Sequence, residues 1–305
     1  MAPLTILMAT RNGADHLVEQ LMSIKLQTHE DWRLWVSDDG STDETMDILN
    51  WFSRDVRQEV TLFRGPERGA TANFLSLVHR PDLPAGPVAF CDQDDVWYPQ
   101  KLERALNTLQ AVETPGPALY AGRADIGLQP DAVTGTTRLF ARPPCFNNAL
   151  IQTIGGGNTM VLSSEATSLL REAGPDCKPA FHDWWAYILV SGAGGTVLYD
   201  SKPMLFYRQH AGNLLGPNRS LSARRGRFVS ILRGHYHHWV TRNLTALERC
   251  SGILDPENRS RLKTFRDLRR SRGLKALKLW TEIGLHRQNR LETSLMAAAA
   301  MAGRI

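Results

Sequence analysis

Across the first 125 residues, short apolar runs alternate with helical patterns, and this alternation restricts the fold more than any other feature. Residues 4–9 read as a strand, and Leu17, Leu21, Ile24 and Leu26 then mark one face of a helix. Residues 34–37 read as a second strand, followed by a helix over 43–54. The pair repeats at 60–63 and 70–79. A buried strand at 87–91 leads to a helix from 99 to about 112, with Pro99 where a missing N–H is not needed. Strands separated by helices predict a mostly parallel sheet with both faces covered. Ligands of such sheets bind beyond the carboxyl ends of the strands, which directs attention to loops 10–13, 37–42, 65–73 and 92–97.

The last of these loops lies in FCDQDDVWY, which sets Asp92, Asp94 and Asp95 within four positions. Carboxylates this close repel one another, and packing gains nothing from them. Mg²⁺ or Mn²⁺ removes the repulsion, and Mg²⁺ is typically held by one or two carboxylates plus substrate phosphates. Two readings stand: a cation carrying a phosphorylated substrate, or a solvated acidic turn before the next helix. SDDGSTDET is a turn by composition; Ser41 or Thr42 can cap the next helix, and Asp38 or Asp39 can accept from a nucleobase. Thr10, Arg11, Asn12 and Gly13 precede a helix start, whose N–H groups suit phosphate. The chain has neither G-x-G-x-x-G nor G-x-x-x-x-G-K-[ST], which leaves a dinucleotide fold or a P-loop poorly supported.

Residues 125–160 read as loops with a small mixed-sheet region, followed by a helix from 163, a short buried helix over 181–190, and two strands in GTVLYD and KPMLFYRQH. Asp183 sits among aromatics in HDWW; facing a cleft, apolar surroundings would raise its pKa and suit it to general-base work. Trp184 and Trp185 are either a platform for a sugar face or core. Arg208 is suited to bidentate phosphate contact, and His210 to a metal or a satisfied core position.

The formal net charge of +5 is uneven, with Arg and Lys concentrated after residue 218, and that asymmetry points to a polyanionic partner. Four scattered cysteines with no C-x-x-C pair argue against a zinc site or disulfide framework and suit a reducing cytoplasm. No secretory signal is evident, and no apolar run approaches the ~20 residues of a membrane span.

Taken in order, ATRNG, WVSDDGSTDET, FCDQDDVWYPQKL, GGGNTM, HDWW and YRQHAGN resemble family 2 glycosyltransferases over residues 4–216. The DQDDVWYP and YRQHAGN versions are similar to the bacterial rhamnosyltransferase-type branch, which builds O-antigen and other surface polysaccharides. The resemblance implies an α/β GT-A fold, an inverting mechanism, a nucleoside diphosphate sugar donor and a divalent metal, Mn²⁺ or Mg²⁺. By position, Thr10, Arg11, Asn12 and Asp39 would line the nucleoside pocket, with Asn73, Gln93 and Arg208 also on the nucleotide-sugar side. Asp92 would bind the ribose or deoxyribose side, Asp94 and His210 the metal, and Asp183 would be the catalytic base. Gly157, Asn158, Thr159 and Trp184 would line the acceptor side. Two departures stand out: Arg11 where the family commonly has Tyr, and His182 before Asp183 where it commonly has Glu.

The expected organisation is a catalytic domain over 1–218 and a basic, mostly helical C-terminal extension over 219–305. The expected acceptor is a saccharide or polyprenyl-diphosphate-linked saccharide. The tail would touch the inner face of an anionic membrane, pack on the catalytic domain, or form a homodimer. A cytoplasmic enzyme with no nucleic-acid partner is the expectation. Rivals are a UDP-hexose donor, a sugar nucleotidyltransferase, which should carry a basic Gly-rich loop after the first strand, and a nucleic-acid-binding protein using the tail.

Overall fold

The computed structural model describes residues 3–209 and 235–305. Within them one sheet runs β3-β2-β1-β4-β8-β6-β9-β5, with β7 paired to β6. β1 (Leu4–Thr10), β2 (Trp32–Asp38), β3 (Val60–Arg64) and β4 (Val88–Cys91) form a parallel block. β8 (Val161–Leu162) is antiparallel to both β4 and β6 (Ala118–Gly127). β9 (Thr196–Arg208) runs parallel to β6, while β5 (Val96–Trp97) is antiparallel to β9 and β7 (Val133–Thr136) to β6. The sheet is therefore mixed, where alternation predicted a mostly parallel one.

Helices cover both faces because the strands are apolar on both sides, as in buried parallel sheets. Ile6 and Met8 share one core with Leu17 and Leu21 of α1 (Ala14–Lys25), Phe52 of α2 (Thr45–Asp55) and Leu102 of α4 (Lys101–Gln110). Leu7 points the other way, into a second core with Phe74 of α3 (Ala70–Val78), Leu170 of α6 (Ser164–Ala173) and Trp184 of α7 (His182–Gly192). A short α5 spans Phe146–Ala149. Gly69, at φ 85°, enters α3 in a conformation that disfavours a side chain. The Ser163 hydroxyl caps α6 by accepting from the Ala166 N–H.

Two expectations change. The helix expected from Pro99 begins at Lys101, whose N–H closes a turn onto the Tyr98 carbonyl. Where two strands were expected in GTVLYD and KPMLFYRQH, Thr196–Arg208 forms one. The register against β6 slips beside Asp200, whose carboxylate accepts from Arg104, Tyr120 and the Lys202 N–H. That polar anchor makes a bulge where composition reads as a turn.

The C-terminal residues form α8 (His235–Arg249), α9 (Pro256–Arg269), α10 (Gly273–Ile283) and α11 (Arg290–Met301). Tyr236, Leu247, Phe265 and Trp280 enter the same core as Trp184 and Ile188. Polar contacts reinforce the junction: Tyr236 Oη donates to the Ile151 carbonyl at 2.6 Å and the Ala180 N–H donates to Asn243 at 2.8 Å.

Candidate active site

The ends of β1, β2 and β4 meet at one edge, as the loop argument required. Arg11 donates its N–H to Gln93 Oε1 at 2.8 Å, and Gln93 Nε2 returns a bond to the Arg11 carbonyl at 3.1 Å. Gln93 thus ties the first loop to the acidic loop. Asn12, at φ 47°, accepts from the Thr42 N–H, and its own N–H donates to Ser41. Thr10 donates to Asp38, which also accepts from Ser41 and from the Gly40 N–H. These side chains build the rim of the pocket. Arg11 is exposed beyond it.

Asp39 accepts from the Glu67 N–H at 2.6 Å and the Gly69 N–H at 3.0 Å. It holds loop 65–69 against the strand ends. A carboxylate has about four acceptor sites, so these bonds leave capacity for a ligand. Asn73 is fully buried and donates to the Ser37 carbonyl at 2.8 Å. A Cβ on Gly65 would lie 2.6 Å from Asp39 Oδ1 and 2.7 Å from Asn73 Oδ1, so this close approach requires glycine.

Asp92 and Asp94 are partly accessible, whereas Asp95 is fully buried. Burial and the charges of Asp94 and Asp183 push the Asp92 carboxyl up to about 7. Phe90, two residues before Asp92, meets the ring of His182, the residue before Asp183, so the acidic loop and the expected base start from one contact. Burial also lifts Asp183 to about 6, against the pull of the Trp184 and Gly157 backbone N–H groups. The Trp184 N–H donates to Asp183 Oδ1 at 2.6 Å. His182, in place of a Glu, stacks on Phe74 at 4.0 Å between ring centroids and meets Phe90 edge-on at 4.9 Å. Burial lowers its pKa to about 3, so it is a neutral neighbour of the base.

Several expected ligand contacts resolve into support. Trp184 is 4 % exposed and donates Nε1 to the Ala149 carbonyl at 2.6 Å, so it belongs to the core and offers no acceptor platform. Trp185 is core as well. Asn158 and Thr159 are buried; Asn158 Nδ2 donates to Asp95 Oδ2 at 2.5 Å and Thr159 Oγ1 to the Gly156 carbonyl at 2.8 Å. Gly157 packs so closely on His182 that a Cβ would collide with Nε2. Arg208 is 2 % exposed; Nε donates to the Asp94 carbonyl at 3.2 Å, Nη1 to the Leu128 carbonyl, and Nη2 pairs with Glu19. It holds the acidic loop by its backbone, which corrects the phosphate contact expected of it. His210 lies outside the described residues. Sequence reading assigned no role to Asp95 and did not single out Lys101; the crowded DQDD run was the available signal for Asp95.

Among the described residues no three His, Cys, Asp or Glu groups form a ready cation cage. The donor set still fits a hard divalent ion. Its described members, Asp92 and Asp94, are carboxylates, the oxygen ligands such an ion prefers.

A mixed sheet of this order, with carboxylates where the parallel strands end, defines a GT-A nucleotide-sugar transferase. The likeness extends to solved structures. TarS of S. aureus superposes with a TM-score of 0.53 at 15% identity over 99% of this chain and 88% of that one. The mannosyltransferase PcManGT from Pyrobaculum calidifontis, in complex with GDP-Man and Mn²⁺, gives 0.52 at 18% identity over 98% and 85%. Residues 5–162 match the glycosyl transferase family 2 model, and the chain belongs to that family. Among curated relatives, the dTDP-rhamnosyl transferase RfbG of Shigella flexneri is 29% identical over 79% of this chain and 84% of its own length. The UDP-Glc:alpha-D-GlcNAc-diphosphoundecaprenol beta-1,3-glucosyltransferase WfaP of Escherichia coli is 25% identical over 70% and 80%. The protein is a family 2 glycosyltransferase.

Proposed function

We propose that the enzyme transfers L-rhamnose from dTDP-L-rhamnose, with inversion, to a hydroxyl of a saccharide or lipid-linked saccharide in surface-polysaccharide synthesis. The observation that carries the site reading is the contact between the two loops: Asn158 donates to Asp95 of the acidic run, and Gly157 and Phe90 pack on His182, which precedes Asp183. The relative named a dTDP-rhamnosyl transferase supports the donor. A UDP-hexose donor is the second reading, supported by the relative named for UDP-Glc.

Asp183 takes the proton of the acceptor hydroxyl as that oxygen bonds to the anomeric carbon. The bond from that carbon to the diphosphate oxygen breaks on the opposite face, and the nucleoside diphosphate leaves. One base suffices for inversion, and a carboxylate lifted to about 6 is ionised at neutral pH yet more basic than an exposed Asp. Asp39 accepts from the nucleobase, Asp92 from the sugar of the nucleoside, and Arg11 flanks the base with its guanidinium plane. Asp94 and His210 would hold Mn²⁺ or Mg²⁺, which supplies positive charge for the leaving diphosphate. Thr10, Asn12, Asn73, Gln93 and Arg208 shape the loops that place these groups.

We place the catalytic domain at 1–218 and the extension at 219–305, in a cytoplasmic protein that meets the membrane from inside. Among the described residues no helix is long and apolar enough to cross a membrane. A groove of about 680 Å³, lined by Arg259, Lys263 and Arg266 of α9, by Arg270 just past its end and by one carboxylate, Glu248, carries an excess of positive charge that supports contact with anionic headgroups. A thermal-shift screen of nucleotide sugars with Mn²⁺ or Mg²⁺ tests the donor, because selective binding raises apparent stability by mass action. Stabilisation by UDP-glucose and not by dTDP-L-rhamnose would move the assignment to the second reading.

A further inference from the structure

We infer that Asp95 and Asn158 form a positioning strut that sets the acidic loop and the Asp183 carboxylate in register. Neither side chain touches substrate; both act through neighbours. The inference rests on Asp183 being the base.

Asp95 is 0 % and Asn158 4 % exposed, and their 2.5 Å hydrogen bond spans 63 positions of sequence. Both ends of the bond are tied to functional groups. Asn158 belongs to the tight turn Gly157–Thr159, in which Gly157 packs its Cα on His182, the residue before Asp183. The Thr159 hydroxyl closes this turn on the Gly156 carbonyl, so displacing the Asn158 side chain shifts Gly157 against His182. On the other side, Asp95 directly follows Asp94, whose carbonyl receives Arg208 Nε, and precedes Val96–Trp97, paired with β9. The loop is thereby pinned from behind by Arg208 and from below by Asn158.

Burying a carboxylate is costly, and an apolar pair of similar volume would serve packing as well or better. What a polar pair adds is orientation. A second buried group lies behind the loop: Lys101, 1 % exposed, holds Nζ 3.7 Å over the ring of Trp97, two residues past Asp95. The donor side and the base are thus connected through protein before either substrate arrives.

The test uses the full chain as wild type, Asn158→Ala, Asp95→Ala, the exchanged pair Asp95→Asn with Asn158→Asp, and Asp183→Asn. Release of nucleoside diphosphate from dTDP-L-rhamnose or UDP-glucose, whichever stabilises the protein, is followed with water as acceptor, alongside donor Kd. The single changes at the strut should lower kcat ~10–100-fold, the worth of one hydrogen bond to a charged group. Donor Kd should stay within about threefold, and the exchanged pair should recover most of kcat by remaking the bond with donor and acceptor reversed. Unchanged kcat in the single variants overturns the strut. Parallel loss of kcat and donor affinity with no recovery in the exchanged pair also overturns it, since that is a fold effect. If Asp183→Asn keeps its turnover, the base assignment itself falls; if it loses turnover while Asn158→Ala does not, only the strut falls.

Discussion

Replacing Asp183 by Asn should cripple the enzyme and stabilise the protein, the second only above a defined pH. Burial holds the Asp183 carboxyl at about 6 against an ordinary 3.8. That displacement corresponds to ~3 kcal/mol of penalty on the charged form. Its position in the first turn of α7 returns part of this, since a helix N-terminus favours a negative charge by up to ~1 kcal/mol. The native state binds more protons than the unfolded chain between 3.8 and about 6, so wild-type stability falls as pH rises through that window. Asn cannot ionise, and its carbonyl can still accept from the Trp184 N–H. Its advantage should therefore open across the same window, reaching ~1–3 kcal/mol at pH 7.5 and vanishing near pH 4. Unfolding of both proteins, without donor or metal, at the two pH values measures this as a melting difference of several degrees at pH 7.5. Turnover should drop ~10²–10⁴-fold, and wild-type activity should fall on the acid side of about pH 6. An Asn variant less stable than wild type at pH 7.5, or equally stabilised at pH 4, would refute desolvation as the cause.

Asp94→Ala should lose the Mn²⁺-dependent part of nucleotide binding by calorimetry; equal gains from Mn²⁺ in variant and wild type would remove Asp94 from the metal. Trp184→Phe should cost ~1–3 kcal/mol of stability by orphaning the buried Ala149 carbonyl while leaving acceptor KM unchanged, and a raised KM with intact stability would restore it to the acceptor side. Changing Arg259, Lys263, Arg266 and Arg270 together to Gln should reduce co-sedimentation with phosphatidylglycerol vesicles by ~1 kcal/mol per charge, with phosphatidylcholine vesicles as the blank. Deleting 219–305 should yield aggregated or unfolded protein, because the apolar face of α7 loses Tyr236, Leu247 and Phe265 from its core; a soluble, folded fragment would mark the boundary at 218 as an independent domain edge.

The parallel half of the sheet was legible because Leu4, Ile6, Leu7 and Met8, buried on both faces, leave a continuous apolar run, and the acidic loop stood out against it. What escaped were roles decided by partners far along the chain. Gln93 meets a backbone 82 positions away and Arg208 one 114 away, and nothing local distinguishes such side chains from ligand-binding ones. β8, two residues long, carries too little pattern to detect, yet it turns the sheet antiparallel. The bulge at Asp200 reads as a turn until Arg104 and Tyr120 supply its partners.

The basic tail shows how one composition can serve two ends at once. α7 carries Asp183 in its first turn and ends at Gly192, whose carbonyl accepts the Asp255 N–H at 3.0 Å. Just ahead of α7, the Ala180 N–H is held by Asn243 of α8. The C-terminal helices thus grip both ends of the element that presents the base, using their apolar faces and a few buried amides. Some of their cations join that junction, Arg242 donating to the Pro179 carbonyl at 2.8 Å, while Arg259, Lys263, Arg266 and Arg270 line one groove. The sequence features that drew attention to a polyanion are therefore the remainder of a surface whose inner side aligns the catalytic helix. The membrane contact we propose and the packing seen in the core draw on different residues, Arg259 and Lys263 on one side and Leu262 and Phe265 on the other.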